Sequence, residues 1–88
     1  MKISEIDNLR PQSLWHHGNN QHRVIFLVRD GIVYYGSRGG NKLNNFNQGE
    51  KCQIDRYLAS SNFIRFLDDQ EWEKAREDLI GWVISNNL

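Results

Sequence analysis

Three histidines and one cysteine are the residues best suited to hold a metal ion. They are His16, His17, His22 and Cys52, and imidazole and thiolate are the usual ligands of zinc. The spacing argues against such a site, because adjacent histidines on a strand point to opposite faces and neither C-x-x-C nor H-x-x-x-H is present. We therefore expect no metal and no cofactor, and we interpret the histidines as rim residues of a sheet.

The sequence contains no motif for phosphate binding and none for covalent catalysis. Residues 36–42, Gly-Ser-Arg-Gly-Gly-Asn-Lys, follow a predicted strand but do not match the phosphate loop G-x-x-x-x-G-K-[ST]. No nucleophile has a recognisable base partner, and the acidic residues of the last helix lie on its solvent side. The sequence therefore predicts a protein that is not an enzyme.

Aromatic and cationic side chains interleave in the middle of the chain. Small sheets that present aromatic residues among cations can bind single-stranded nucleic acid. A formal net charge of zero and a pI near 6.8 weaken the electrostatic attraction on which that binding depends. The aromatic residues can equally be core, so RNA or single-stranded DNA binding is an alternative function, with Tyr34, Tyr35, Arg38 and Lys42 as its contacts.

Length and composition predict one small domain spanning residues 1–88. The chain has 88 residues, among them three Trp, three Tyr and four Phe, which is enough to fill a modest core. A single cysteine excludes an internal disulfide framework, and the first residues contain no apolar signal segment. We expect a cytoplasmic protein that does not contact a membrane.

Charge is unevenly distributed along the chain. Basic residues exceed acidic ones between residues 8 and 65, whereas acidic residues dominate from 66 to 88. The two blocks attract each other if the last helix docks on the body. Otherwise the body presents an anion-binding surface and the helix an acidic face.

Residues 22–37 contain the clearest structural signal. Two apolar runs flank Asp30-Gly31, a dipeptide suited to the positive φ angles of a type I′ turn. Together with Ser13–His17, which precedes a polar loop, they predict a three-stranded antiparallel meander over residues 13–17, 22–29 and 32–37.

The predicted register makes both faces of this sheet apolar. It pairs His17 with His22, and Phe26 with Tyr35. Alternation then places two sets of residues on opposite faces, and one helix can cover only one of them. The first set is Trp15, Val24, Phe26, Val28, Val33 and Tyr35, and the second is Leu14, Ile25, Leu27, Ile32 and Tyr34.

The rest of the chain predicts a long loop and two helices. Residues 38–51 lack periodicity and are rich in Asn and Gly, with Leu43 and Phe46 able to pin them to the body. Residues 52–59 have helical spacing, and residues 63–67 fit either a strand or the approach to the last helix. Asp68 and Glu71 form a capping-box pattern ahead of an apolar stripe from Trp72 to Val83. Gly81 within it suggests a close approach of the helix backbone to a neighbour.

Several short motifs between residues 9 and 63 resemble one group of small proteins. These are Leu9–Pro11 before Leu14–His17, then Arg23–Ile25, Ile32–Tyr35, and Cys52 with Tyr57, Leu58 and Phe63. The order is similar to that of uncharacterised phage and bacterial domains with an SH3-like β-meander, although Gln12 replaces their glycine. The resemblance implies an origin in a phage or mobile element and carries no activity.

We expect an α+β fold: a curved antiparallel sheet of three to four strands with a C-terminal amphipathic helix on one face. The expected function is a small non-enzymatic module that binds a protein, as an accessory or inhibitory factor acting on a host protein. A second copy of the chain is the other partner considered, because a dimer would also cover the second sheet face. The candidate partner-binding residues are Arg29, Tyr34, Tyr35, Arg38, Lys42 and Phe46.

Overall fold

The structure is a computed structural model that describes residues 3–18, 20–39 and 45–88. In these ranges a 3₁₀ helix, Ile3–Asn8, precedes five strands and three helices. The strands are β1 (Ser13–His17), β2 (Gln21–Arg29), β3 (Ile32–Arg38), β4 (Gln48–Gln53) and β5 (Ser61–Phe66). The helices are α1 (Ile54–Ser60), α2 (Asp69–Asp78) and α3 (Ile80–Ser85).

All five strands form one antiparallel sheet in the order β4-β3-β2-β1-β5. The α+β class, the meander and the C-terminal helices are confirmed. The expected number of strands is too low, because residues 48–51, interpreted as loop, continue into Cys52 and Gln53 as a strand that pairs with β3. Residues 61–66 add the other strand by pairing with β1, which decides between the two alternatives for residues 63–67.

Register agrees with the prediction near the Asp30-Gly31 turn and differs farther away. Asp30 and Gly31 have φ angles of 55° and 77°, and Arg29 pairs with Ile32 as expected. A bulge at Phe26 then shifts the ladder, so Tyr35 pairs with Ile25. Between β1 and β2, His17 pairs with Gln21 rather than His22.

Both sheet faces are apolar, as predicted, but their membership differs and helices cover both. Leu14, Val24 and Phe26 pack beneath α2 and α3, together with Phe46. The opposite face is covered by α1 and joins Trp15 with Ile25, Val33, Tyr35, Tyr57 and Leu58. The alternative of an open apolar face that awaits a partner therefore has no support in the described residues.

The C-terminal helical segment begins at its predicted cap and then divides. Asp68 Oδ1 accepts a hydrogen bond from the Glu71 N–H at 2.8 Å, and Glu71 Oε1 accepts one from the Asp68 N–H at 3.2 Å. Leu79, with φ −121° and ψ 31°, separates α2 from α3. The expectation for Gly81 is wrong, since a Cβ there would meet nothing within 4 Å.

The close approach occurs instead at Gly49 on β4. A Cβ at that position would lie 2.1 Å from Cδ2 of Trp82. The helix after β4 starts at Ile54, two residues later than predicted, because Cys52 continues the strand. No helix within the described ranges is long and apolar enough to cross a membrane.

Candidate functional site

The predicted partner-binding residues do not form one surface. Arg29 and Tyr34 lie near the Asp30-Gly31 turn, with the guanidinium 5.1 Å from the ring centroid and Lys51 Nζ 5.9 Å from it. Arg38 and Phe46 are in contact at the other end of the β2–β3 pair. Tyr35 is buried on the opposite face, beneath α1. Lys42 lies outside the described residues, as does Leu43.

Arg38 and Phe46 belong to a contact that holds residues 45–47 against α2. The Arg38 guanidinium stacks 4.5 Å from the Phe46 ring, and Asp78 Oδ2 accepts a hydrogen bond from the Phe46 N–H at 3.0 Å. Lys74 Nζ donates to both Asn45 Oδ1 and Asp78 Oδ1. Burial lowers the pKa of Arg38. These mutual contacts border a small cavity of about 220 Å³, and they confirm that Phe46 pins its segment to the body.

A larger groove of about 730 Å³ opens on the other side of the sheet, between α1 and the strands β3 and β4. Its volume lies within the range of clefts that hold ligands, about 300–1,000 Å³. The groove is lined mainly by polar and charged side chains: His17, Arg23, Tyr35, Glu50, Lys51, Cys52, Arg56, Ala59 and Ser60.

Arg23 is the buried cation of this groove. It lies on β2 on the same face as Ile25, so its side chain runs beneath α1 and only 8% of the residue is exposed. Nη1 donates hydrogen bonds to Ser61 Oγ at 3.0 Å and Ser60 Oγ at 3.3 Å. The guanidinium lies 4.6 Å from the ring centroid of Tyr35, which gives it a cation–π contact.

Arg23 has no ionic partner among the residues that the structure describes. The ion pairs formed there join Arg65 to Glu71 and Lys74 to Asp78. Within the described part of the chain, Nε of Arg23 is buried without a hydrogen-bond partner, and so is the hydroxyl of Tyr57 beside it. Buried arginines are normally paired, because an unpaired charge loses its hydration without compensation. An anion bound in the groove would supply the missing counter-charge.

Glu50 sets a limit on the charge that the groove can accept. Its Oε2 accepts a hydrogen bond from the Tyr35 hydroxyl at 2.9 Å, and its Oε1 accepts one from Gln48 Nε2 at 2.8 Å. Both carboxylate oxygens are therefore engaged as acceptors. Lys51 lines the groove without adding its charge, because its ammonium lies beside the Tyr34 ring on the opposite face of the sheet. The charged groups that face the groove are therefore the Arg23 and Arg56 guanidiniums and the Glu50 carboxylate.

The phenol of Tyr35 and the thiol of Cys52, which both line the groove, keep their protons at neutral pH. Burial, supported by the hydrogen bond to Glu50, raises the pKa of Tyr35 to about 12. Burial also raises the pKa of the Cys52 thiol. A protonated thiol is a poor nucleophile, so the groove is better suited to binding than to covalent chemistry.

The histidines lie at separate points of the sheet rim. Nδ1 of His17 is 2.6 Å from the Ser60 carbonyl oxygen, whereas the rings of His16 and His22 meet edge to face with their centroids 5.9 Å apart. Burial lowers the pKa of His22, with the nearby Arg38 adding to the shift. Across the described residues, no three His, Cys, Asp or Glu side chains are placed to hold a metal ion.

Sequence reasoning missed Arg23 as a site residue. The usable signal is its position within the run Arg-Val-Ile-Phe, where alternation puts a cation on an apolar face with Ile25. Comparison of the chain with models of protein families, with curated proteins and with solved structures found no match in any of the three. The resemblance to phage and bacterial domains therefore stays a prediction.

Proposed function

We propose that this chain is a small non-enzymatic binding module that acts by occupying a partner protein, with the Arg23 groove as its contact surface. The observation that carries the proposal is a cation with 8% exposure and no ion-pair partner among the described residues, at an open groove. Retaining an unpaired buried charge costs stability. That cost is offset when a partner brings an anionic group to the groove.

A non-enzymatic role agrees with the chemistry of the lining. Tyr35 and Cys52 hold their protons, and Glu50 is engaged by two hydrogen bonds. None of these groups forms the pair of base and nucleophile that covalent catalysis requires. The accessory or inhibitory role on a host protein, and the mobile-element origin implied by the resemblance, belong to this proposal as its biological setting.

Nucleic-acid binding has weaker support. Stacking of bases requires exposed aromatic faces, but Tyr35 and Phe46 are buried and Arg38 covers the Phe46 ring. Tyr34 remains half-buried, with its ring beside Arg29 and Lys51. One such aromatic residue is a small platform for a single strand, so we prefer a protein partner.

The test is capture of partners from the native source by tagged wild-type chain, Arg23→Gln and Arg65→Gln. Arg65 is the matched control, because it is exposed on β5 and lies outside the groove lining. We expect a protein to be captured by the wild type and by Arg65→Gln, and at least tenfold less by Arg23→Gln. Equal capture by all three chains would contradict the proposed contact surface.

A salt titration on mixed single-stranded oligonucleotides separates the alternative. Affinity that falls steeply as salt rises would favour nucleic acid, because release of counterions drives that binding. Absence of binding at low salt is the result expected for a protein-binding module.

A further inference from the structure

The charge balance of the groove points to the class of group that it binds. We propose that the Arg23 groove recognises a carboxylate, presented by an acidic side chain of the partner protein. This inference rests on the proposed function and adds the chemistry of recognition to it.

The first step is the match between guanidinium and carboxylate. A guanidinium is a planar fork of donors, and carboxylates accept two of its hydrogen bonds in one plane. Hydrogen bonds from Nη1 to Ser60 and Ser61 hold the Arg23 fork, and the Tyr35 ring stacks on it. Its orientation is therefore fixed before the ligand arrives, which reduces the ordering that binding requires.

The second step is the sign and size of the charge. Arg23 and Arg56 place two guanidiniums in the lining beside the single carboxylate of Glu50, which leaves an excess of one positive charge. A carboxylate neutralises Arg23 with a single charge. A phosphate monoester carries about 1.5 to 2 negative charges at pH 7, and the excess would be repelled by Glu50.

The third step is the room around the anchor. The groove volume of about 730 Å³ exceeds what one carboxylate fills, so a segment of polypeptide can follow the acidic side chain into it. Arg56 lines the α1 side and offers guanidinium donors to such a segment. The tyrosine rings below are covered, so bases of a nucleic acid find no face on which to stack.

The experiment is an NMR titration of the full chain with three capped pentapeptides that differ at the central residue, glutamate, glutamine or phosphoserine. Acetate and inorganic phosphate are titrated alone as small-ion controls. We expect the glutamate peptide to shift the amide signals of Cys52, Ala59 and Ser60 and to bind at least tenfold more tightly than the glutamine peptide. Tighter binding of the phosphoserine peptide than of the glutamate peptide, or shifts confined to residues outside the groove, would overturn the inference.

Three variants are titrated with the same peptides, so that the test still gives a result if one of them fails to fold. Arg23→Gln should weaken the glutamate peptide at least tenfold, while Arg65→Gln should leave its affinity unchanged. Glu50→Gln keeps an acceptor for the Tyr35 hydroxyl, and it removes the negative charge together with the acceptor for the exposed Gln48 side chain. This variant should raise the affinity of the phosphoserine peptide at least threefold relative to that of the glutamate peptide. An unchanged ratio of the two affinities would contradict the role given to Glu50.

The two proposals can fail separately. If capture of a partner depends on Arg23 but no acidic peptide binds, the carboxylate assignment is wrong and the binding module stands. If the glutamate peptide binds the groove but no protein is captured through it, the proposed function is wrong. An effect of acetate equal to that of the glutamate peptide would assign the groove to a small carboxylic acid and contradict a protein partner.

Discussion

Burial of the Arg23 charge costs free energy of folding, and we interpret this cost as an indication of a binding role. Its guanidinium is desolvated and receives two serine contacts and an aromatic face in place of a carboxylate. These contacts offset part of the lost hydration, and the unpartnered Nε shows that the compensation is incomplete.

This imbalance predicts the effect of replacing Arg23 with an apolar residue of similar length. The Arg23→Met variant should keep its free energy of unfolding, or gain up to about 2 kcal/mol, because no charge has to be desolvated on folding. Urea denaturation of the variant and the wild type measures the difference. A loss above about 2 kcal/mol would mean that Arg23 is a structural residue in the free protein.

The Arg65–Glu71 ion pair predicts a pH dependence of stability. The hydrogen bonds from the Arg65 guanidinium and then from the Asp68 N–H lower the pKa of Glu71 to about 2. A lowered pKa contributes stability above the ordinary value of about 4.3, and that contribution is lost as pH falls toward 2. Glu71→Gln should therefore be less stable than wild type at pH 7 by under about 1 kcal/mol, since water screens the exposed pair.

Thermal unfolding between pH 2 and pH 7 checks this prediction. The difference in stability between the wild type and Glu71→Gln should shrink steadily as pH falls below the ordinary glutamate pKa of about 4.3. A difference that stays constant down to pH 2 would show that the carboxylate charge contributes nothing to folding.

At the scale of elements, two glycines have opposite roles. Gly49 on β4 lets the Trp82 ring approach the sheet, since a Cβ there would lie 2.1 Å from Cδ2. Gly81 in α3 has open space around the position of its missing Cβ. Gly49→Ala should lower the free energy of unfolding by about 1–3 kcal/mol through overpacking.

Gly81→Ala is the matched control in a helix. Alanine reduces the conformational freedom of the unfolded chain and favours helix, so this variant should gain about 0.5–1 kcal/mol. Denaturation midpoints of both variants test the pair together. Similar behaviour of the two variants would contradict the packing of Trp82 against Gly49.

The elements that the sequence predicts well are those with local signals. Asp30-Gly31 defines its turn because both residues adopt positive φ, and Asp68 with Glu71 defines a helix start. Gln48–Gln53 has no apolar alternation, because an edge strand pairs through its backbone and exposes much of its surface. Its pairing with β3 depends on tertiary structure that no local pattern records.

The error in register explains why the site was missed. Asn20 has a φ of 61°, which closes the β1–β2 turn one residue earlier than predicted. No glycine or proline lies at the Phe26 bulge, so the sequence contains no residue that predicts it. These shifts change the contents of both faces, and they place Arg23 opposite Trp15 beneath α1.

At the scale of the whole molecule, both core clusters share the central strand β2. Val24 and Phe26 belong to one cluster, and Ile25 belongs to the other. Neither face can lose its packing while β2 keeps its place. We therefore expect one cooperative unfolding transition, as small domains usually show.

Tryptophan fluorescence can report on each face separately. Trp15 lies beneath α1, whereas Trp72 and Trp82 pack against the other cluster. Trp15→Phe and the double variant Trp72→Phe/Trp82→Phe should each give, by fluorescence, the same urea midpoint that circular dichroism gives for that protein. Separate midpoints for the two probes within one variant would show that the faces unfold independently.

The pairing of β1 with β5 also fixes the order in which the chain can be completed. His17 pairs with Ser61, and the ring centroids of Phe63 and Trp15 lie 5.5 Å apart. Strand β1 therefore needs a partner strand that is synthesised much later. During synthesis on the ribosome, the edge of β1 that pairs with β5 stays unpaired until β5 has been made. An unpaired edge is a template for strands of other chains. A chain cut short before residue 61 would keep that edge open, and we expect such fragments, rather than the finished protein, to aggregate.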